Sequence, residues 1–226
     1  MRERLRRLGG PLAVAAAVGA GGVGAGWRGG PLLGWAAVSG VGLAAATGAL
    51  NERDRRREGS AALTVFAGAL GGVAGAMLVG GTAVLVALLA FALAATGWAR
   101  ARLVRPVLAG LPLFYGALAV GAPRAGILPW VFAAWLFSVR ELAAGGAPSP
   151  AARWSAAGLA LAFIPASLVV PARLGYPGPY YLIVLFADLA ILVVATRLVV
   201  GRTDRVGLLL DVGMAVGLVA LAAGRV

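Results

Sequence analysis

The chain has 226 residues, of which 61% are hydrophobic and only 12% are charged, and its formal net charge is +12. This composition leaves too little charge to cover the surface of a water-soluble domain. The chain also has no Cys and no His, which excludes disulfides, thiolate nucleophiles and imidazole bases. Any chemistry must therefore rest on carboxylates, Tyr, Arg or a bound metal.

Long apolar segments follow one another along the whole chain, and each is close to the length that a helix needs to cross a hydrocarbon core. Because backbone polar groups inside lipid must be paired internally, these segments are predicted to be helices rather than strands. We therefore predict an all-α, polytopic membrane bundle of about nine transmembrane helices in a single domain, residues 1–226. The predicted spans are 10–27, 31–50, 60–79, 81–98, 106–122, 125–139, 154–171, 180–196 and 206–224.

All basic side chains are arginines, and successive loops are alternately rich and poor in them. The amino-terminal segment and the loops after the second, fourth, sixth and eighth spans contain sixteen of the 20, and the other side contains Arg28, Arg124, Arg173 and Arg225. By the positive-inside rule we expect a multi-pass protein of the cell membrane, with its amino terminus in the cytoplasm and its carboxyl terminus outside. No basic stripe alternates with aromatic residues, so no nucleic-acid partner is expected.

The loop after the second span concentrates acidic and basic side chains. If the helix continues through it, a rotation of about 100° per residue places Asn51, Asp54 and Glu58 within roughly 60° of one another. Oxygen donors on one face suit Mg²⁺, which takes a few carboxylates and completes its shell with water and phosphate. Arg55 and its neighbours are able to bind phosphate oxygens through paired N–H groups. The alternative is an ordinary charged loop that only fixes topology.

Other polar residues form smaller groups. Arg100, Arg102 and Arg105 follow the fourth span and either bind a phosphate or anchor the loop. Asp188 and Asp211 lie within apolar spans, where an acid is costly and is a functional candidate by default. For both acids a structural hydrogen bond is at least as good an explanation as a proton relay. For Asp188 the expected partner is a neighbouring Arg or Tyr.

Four stretches occur in a fixed order along the chain: Gly42–Asn51, Gly110–Gly116, Leu136–Glu141 and Tyr181–Leu189. Together they resemble the UbiA family of intramembrane prenyltransferases. The first runs into the acidic loop as the family's second helix runs into its first Asp-rich motif, and the second is similar to a segment of its fifth helix. The third resembles the Arg-Glu approach to the second Asp-rich motif, and the fourth resembles the eighth helix of archaeal lipid-forming members. The resemblance covers nearly the whole chain.

The resemblance implies a polyprenyl diphosphate and Mg²⁺ at the cytoplasmic mouth of a lipid-facing cavity, where an allylic cation alkylates a lipid acceptor. The archaeal members join a geranylgeranyl group to geranylgeranylglyceryl phosphate, so these are the substrates it implies. The site residues implied are Asp54 and Glu58 as catalytic carboxylates, Asn51, Arg55, Arg100, Arg102, Arg140 and Tyr115 as diphosphate-binding residues, and Asn51, Asp54, Glu58 and Glu141 as metal ligands.

The chain departs from the family pattern at both motifs. The first is short and has Glu58 where the family has Asp, and the second keeps Arg140 and Glu141 but lacks both of its Asp residues. Because a metal ion typically contributes several kcal/mol of transition-state stabilisation, two alternatives stay open. One is a catalytically impaired relative that binds isoprenoid lipid or a partner protein. The other is a small transporter that uses Asp188 and Asp211. The sequence leaves the oligomeric state open.

Overall fold

The computed structural model describes residues 15–23, 31–32, 34–42, 59–95, 104–143 and 148–224 of the chain. In these ranges the regular structure is helical, and each predicted span overlaps one helix. The helices, in chain order, are α1 (15–23), α2 (34–42), α3 (Gly59–Val79), α4 (Gly81–Ala95), α5 (Val104–Ala119), α6 (Pro123–Ala143), α7 (Pro150–Arg173), α8 (Gly178–Val199) and α9 (Val206–Ala223).

Several helices extend beyond the predicted spans, and α6 and α7 each do so by four residues at an end that is polar and stabilised. α7 begins at Pro150 because the Ser149 side chain accepts a hydrogen bond from the amide of Ala152 (3.2 Å), and because Pro is favoured in a first turn that needs no N–H. α6 continues through Arg140 and Glu141 because both side chains find partners on neighbouring helices. A span prediction based on apolar length alone stops short of both ends.

α1 and α5 cross at close range because each presents glycine to the other. Gly116 of α5 lies against the carbonyl of Val18, and a Cβ added to it would stand 2.6 Å from the amide nitrogen of Gly22. Gly21 lies in the same way against the backbone of Leu113. In lipid, close backbone approach of this kind holds helices together, since apolar side chains gain little by leaving the lipid tails.

We expect Gly116→Val to push α1 away from α5 and to lower the thermal stability of the protein in detergent. The clash is with backbone atoms, so no change of rotamer relieves it, and overpacking typically costs about 1–3 kcal/mol or more. The matched control is Gly158→Val in α7, where an added Cβ meets no heavy atom within 4 Å. Equal unfolding temperatures for the two variants would contradict this account of the crossing.

Buried side chains form two clusters, one on either side of an apolar cavity. One cluster joins α6, α7, α8 and α9 and includes Phe132, Phe163 and Ile191. The other joins α1, α2, α3, α4 and α5 and includes Val18 and Tyr115. The cavity is lined by α1 and α5 from one cluster and by α6, α7, α8 and α9 from the other. The cavity therefore lies between the two halves of the bundle.

Large apolar side chains are exposed on the outside of the bundle, as at Leu70, Leu85, Leu182 and Phe186. A continuous surface of this kind would drive aggregation in water, whereas lipid solvates it. Among the described residues, α6, α7, α8 and α9 are each long and apolar enough to cross a membrane, and shorter apolar helices accompany them. The protein is a membrane protein.

Candidate functional site

The cavity between the two clusters has a volume of about 620 Å³, within the range typical of small-molecule sites. Its wall is almost wholly apolar. Of the described residues that line it, Asp211 is the charged one, and two prolines inside helices, Pro112 of α5 and Pro129 of α6, also lie on the wall. A chamber of this composition suits a hydrocarbon ligand that carries a polar group at one end.

Charged side chains gather at one end of the bundle, where α5 and α9 begin and α6 ends. We call it the arginine-rich end and define it by Arg105, Arg140, Arg197 and Arg205. Two ion pairs there join different helices: Arg140 donates to Oδ1 of Asp211 (2.6 Å) and Arg105 donates to Oε2 of Glu141 (3.2 Å). The first joins α6 to α9, and the second joins α5 to α6.

The two pairs diverge because Arg140 and Glu141 are consecutive on one helix. A rotation of about 100° between neighbours directs the two side chains toward different neighbouring helices. Arg140 also lies near the first turn of α9, since its Nη2 is 4.0 Å from the position of a Cβ added at Gly207. The positive end of the α9 dipole and this guanidinium therefore act on the same region, which favours an anion there.

A short turn sets the position at which α9 begins. Arg197 near the end of α8 donates to the backbone carbonyl of Asp204 (3.2 Å) and also pairs with the carboxylate of that residue. Arg205, the residue before α9, has a φ of 59°, in the left-handed region that costs a non-glycine residue about 1–2 kcal/mol. The turn and its ion pair together orient the segment of α9 that carries Asp211.

The predicted site residues divide into those that the structure describes and those that it does not. Arg140 and Glu141 lie at the arginine-rich end, as described above. Tyr115 is described as well, but it lies away from the arginine-rich end, in the packing between helices. The predicted residues outside the described ranges are Asn51, Asp54, Arg55, Glu58, Arg100 and Arg102, and their roles stay predictions. In the described part of the chain, no group of three or more acidic residues is close enough together to hold a metal ion.

Tyr115 lies in the packing between α2, α4 and α5 rather than on the cavity wall. Its side chain is 2% exposed, and its hydroxyl donates to the carbonyl of Ala83 (3.2 Å) and lies 3.0 Å from the hydroxyl of Ser39. Ser39 in turn donates to the carbonyl of Gly72 in α3. The described contacts give Tyr115 a packing role, and diphosphate binding by this residue stays a prediction.

Asp188 forms a buried polar cluster with α7, and its direct partner differs from the Arg or Tyr expected from the sequence. The partner is Ser167, whose hydroxyl lies 2.9 Å from both carboxyl oxygens of Asp188. Tyr180 joins the cluster through its hydroxyl, which donates to the backbone carbonyl of Ser167 (2.7 Å). A serine gives no charge signal in a sequence, which is why it was not identified as the partner.

The partner of Arg140 was also missed at the sequence level, although a usable signal was present. Asp211 stands in the second turn of the ninth span, and Arg140 ends the sixth. With alternating helix directions, both positions fall near the same end of the bundle. An acid and a base at matching depth in neighbouring spans are therefore candidates for a pair.

The fold of the chain is similar to that of a known membrane protein. No protein-family model matches the sequence, and no curated protein sequence matches it significantly. The chain is similar to a solved structure of digeranylgeranylglyceryl phosphate synthase, described in membranes, with a TM-score of 0.76 and 12% sequence identity over 96% of this chain and 95% of that one. The prediction of an all-α, UbiA-like membrane bundle is confirmed as a fold.

Proposed function

We propose that the protein transfers a polyprenyl group, geranylgeranyl in the first instance, from its diphosphate to a lipid acceptor such as geranylgeranylglyceryl phosphate. The observation that carries this proposal is an apolar cavity with ion-paired arginines at one end, in a bundle whose fold is that of digeranylgeranylglyceryl phosphate synthase. The cavity wall suits an isoprenoid chain, and the arginine-rich end suits a diphosphate. We assign the whole of 1–226 to one prenyltransferase-like domain.

In this proposal the prenyl chain lies in the cavity and the diphosphate lies at the arginine-rich end. Arg140 and Asp211 are 43% and 48% exposed, and a pair this exposed is worth only about 0–1 kcal/mol. A diphosphate carries more negative charge than one carboxylate, so it competes well for the Arg140 guanidinium. Arg55, Arg100 and Arg102 complete the diphosphate site on the basis of the sequence.

Mg²⁺ is assigned to Asn51, Asp54 and Glu58 together with Glu141. Carboxylate and amide oxygens are suitable ligands for this ion, and Mg²⁺ held by them would supply positive charge beside the departing diphosphate. Of these four residues the structure describes Glu141, which is 26% exposed at the arginine-rich end and already accepts a hydrogen bond from Arg105. The donor set is chemically appropriate, and its assembly is part of the proposal.

The reaction breaks the bond between the allylic carbon and the diphosphate oxygen and forms an ether bond to the acceptor hydroxyl. The arginines hold the diphosphate as its charge increases, which is the kind of stabilisation that contributes most in acyl and phosphoryl sites. The acceptor hydroxyl loses its proton as the ether forms. Because the chain has no His, we assign that proton to the carboxylates of Asp54 or Glu58. The apolar wall keeps water from the allylic cation.

The direct test is transfer by the full chain, reconstituted in lipid, with radiolabelled geranylgeranyl diphosphate and geranylgeranylglyceryl phosphate. We expect a labelled lipid product whose formation requires Mg²⁺ and stops when EDTA is added. A panel of other lipid acceptors tests acceptor choice in the same assay. Absence of product with every prenyl donor and acceptor would overturn the proposal.

A catalytically impaired relative that binds isoprenoid lipid is the second candidate. The observation in its favour is that the stretch resembling the second Asp-rich motif lacks both Asp residues. Saturable binding of the diphosphate without turnover would favour it. The transporter hypothesis gains nothing from the described structure, because Asp188 and Asp211 have separate partners, Ser167 and Arg140.

We also propose that the arginine-rich end faces the cytoplasm in the cell membrane. The alternation of arginine among the loops supports this orientation through the positive-inside rule. A reporter that is active only in the cytoplasm, fused after residue 146, is expected to be active, and the same reporter after residue 175 to be inactive. The reverse pattern would overturn the orientation.

A further inference from the structure

The cavity extends along α9 from the arginine-rich end of the bundle toward the opposite end. Asp211 lines it at the arginine-rich end and Leu221 lines it at the other, ten residues or about 15 Å further along the helix. Tyr180, in the first turn of α8, lines the same end as Leu221. Tyr180 and Leu221 are only 1% and 4% exposed, so both side chains are packed inside the bundle.

The ring of Tyr180 is held on several sides. Its hydroxyl donates to the carbonyl of Ser167 in α7 (2.7 Å), and its ring centroid lies 5.1 Å from that of Tyr176 and 5.1 Å from that of Tyr181. The end of α9 closes over it, since a Cβ added at Gly224 would stand 3.1 Å from the Tyr180 Cβ. The ring is therefore held by α7, by the turn that precedes α8 and by the residue that follows α9.

Behind this ring, Ser167 and Asp188 satisfy each other inside the membrane. They are 0% and 5% exposed, and neither is among the residues that line the cavity. The Ser167 hydroxyl lies 2.9 Å from both Asp188 oxygens and 2.7 Å from the carbonyl of Ile164. Because an unpaired polar group in lipid is costly, this cluster holds α7 against α8 at the level where Tyr180 attaches.

We propose that Tyr180 forms the end wall that limits the length of the prenyl chain, and that Ser167 and Asp188 act as positioning residues that keep this wall in place. The inference rests on the proposed function, since it takes a prenyl chain as the occupant of the cavity. An extended isoprene unit spans roughly 5 Å, from four carbon–carbon bonds of about 1.5 Å each. The length along α9 therefore accommodates three extended units, or four when the chain bends.

The first test compares kcat/KM for a series of prenyl diphosphates with two to six isoprene units. Tyr180→Ala removes the wall, and we expect the ratio of five-unit to four-unit transfer to rise about tenfold, the lower limit of discrimination by a single methylene in an apolar pocket. Gly217→Leu adds bulk on the cavity wall, where an added Cβ meets no heavy atom within 4 Å, and is expected to shift the preference toward shorter chains. The control is Phe186→Ala, an exposed aromatic on the same helix that does not line the cavity.

The positioning residues are tested by length preference rather than by total rate. Ser167→Ala and Asp188→Leu remove the cluster, and both are expected to broaden the range of chain lengths accepted, whereas Asp188→Asn keeps a hydrogen-bonding group and is expected to change the preference less. A variant that lowers the rate for all lengths equally would show only a structural effect. That outcome in both Ser167→Ala and Asp188→Leu would overturn the positioning role.

A second measurement does not require turnover. Thermal stabilisation of the detergent-solubilised protein by prenyl alcohols with two to six isoprene units reports which chains fit the cavity. One outcome is that transfer fails with every donor while stabilisation peaks at three or four units and shifts in Tyr180→Ala and Gly217→Leu. In that case the proposed function is wrong, and the proposal that Tyr180 limits the chain length is supported. If transfer proceeds and neither variant changes the length preference, the proposed role of Tyr180 is wrong and the proposed function is supported. If Tyr180→Ala does not fold, the shift in chain-length preference of Gly217→Leu alone tests the proposal.

Discussion

Replacing Arg140 with alanine is expected to lower kcat/KM for prenyl transfer by about a hundredfold, a typical loss when one group that stabilises developing charge is removed. The guanidinium bonds to Asp211, which lines the cavity, and in the proposed site this position is where the prenyl chain meets its diphosphate. Initial rates over a range of geranylgeranyl diphosphate concentrations separate the effect on kcat from that on KM. An interaction made only in the transition state lowers kcat, whereas simple binding raises KM.

Two further variants distinguish a role in catalysis from a role in neutralising Asp211. If Arg140 serves only as the partner of this acid, then Arg140→Ala with Asp211→Ala should regain the rate, whereas we expect the double variant to stay slow. Arg124→Ala removes the same charge from the opposite end of the bundle, in the first turn of α6, and is expected to leave the rate unchanged. An unaltered rate in Arg140→Ala itself would remove this residue from the diphosphate site.

The second large effect is expected from Asp54→Ala combined with Glu58→Ala, which should reduce Mg²⁺-dependent transfer to the level seen with EDTA. Loss of a metal ion typically removes several kcal/mol of charge stabilisation, which corresponds to at least a hundredfold in rate. Rates measured over a Mg²⁺ titration are the appropriate readout. They distinguish a weakened metal site, in which more Mg²⁺ restores the rate, from one that is lost.

The matched control for this pair is Glu52→Ala, in the same loop. On a continuing helix Glu52 is rotated by about 200° from Asp54 and so points away from the face shared with Glu58. We expect this variant to keep both its rate and its response to Mg²⁺. If the double variant retained the wild-type response to Mg²⁺, the assignment of the metal to this loop would be wrong.

Most of the helical framework follows from the sequence because membrane helices are specified locally. A run of apolar residues of sufficient length must form a helix in lipid whatever its neighbours are, since each backbone group has to be paired within the segment. For this reason the predicted spans 154–171 and 180–196 correspond to α7 and α8. The helix ends follow less directly from the sequence, because they depend on capping residues such as Ser149 and on charged partners that are distant in the chain.

The candidate site was predicted less completely, because its contacts join residues far apart in the chain. Arg140 was identified from its neighbour Glu141 and from the family resemblance, but its bond to Asp211 spans 71 positions. Tyr115 was assigned to the diphosphate from a local stretch, whereas its hydroxyl contacts Ala83 and Ser39. Local sequence patterns identify residues with charged or reactive side chains. Only the tertiary packing determines which groups those side chains contact.

The amino-acid sequence alone determined that this is a membrane bundle with arginine concentrated on one face, since hydropathy and charge are sums over local segments. Tertiary structure decided where the cavity lies, that Arg140 pairs with Asp211 on its wall, and that Tyr180 lines the cavity toward its other end. Those features arise where α1, α5 and α6 meet α8 and α9. Their positions depend on which glycines and small side chains let two backbones approach, a property of helix pairs rather than of any one helix.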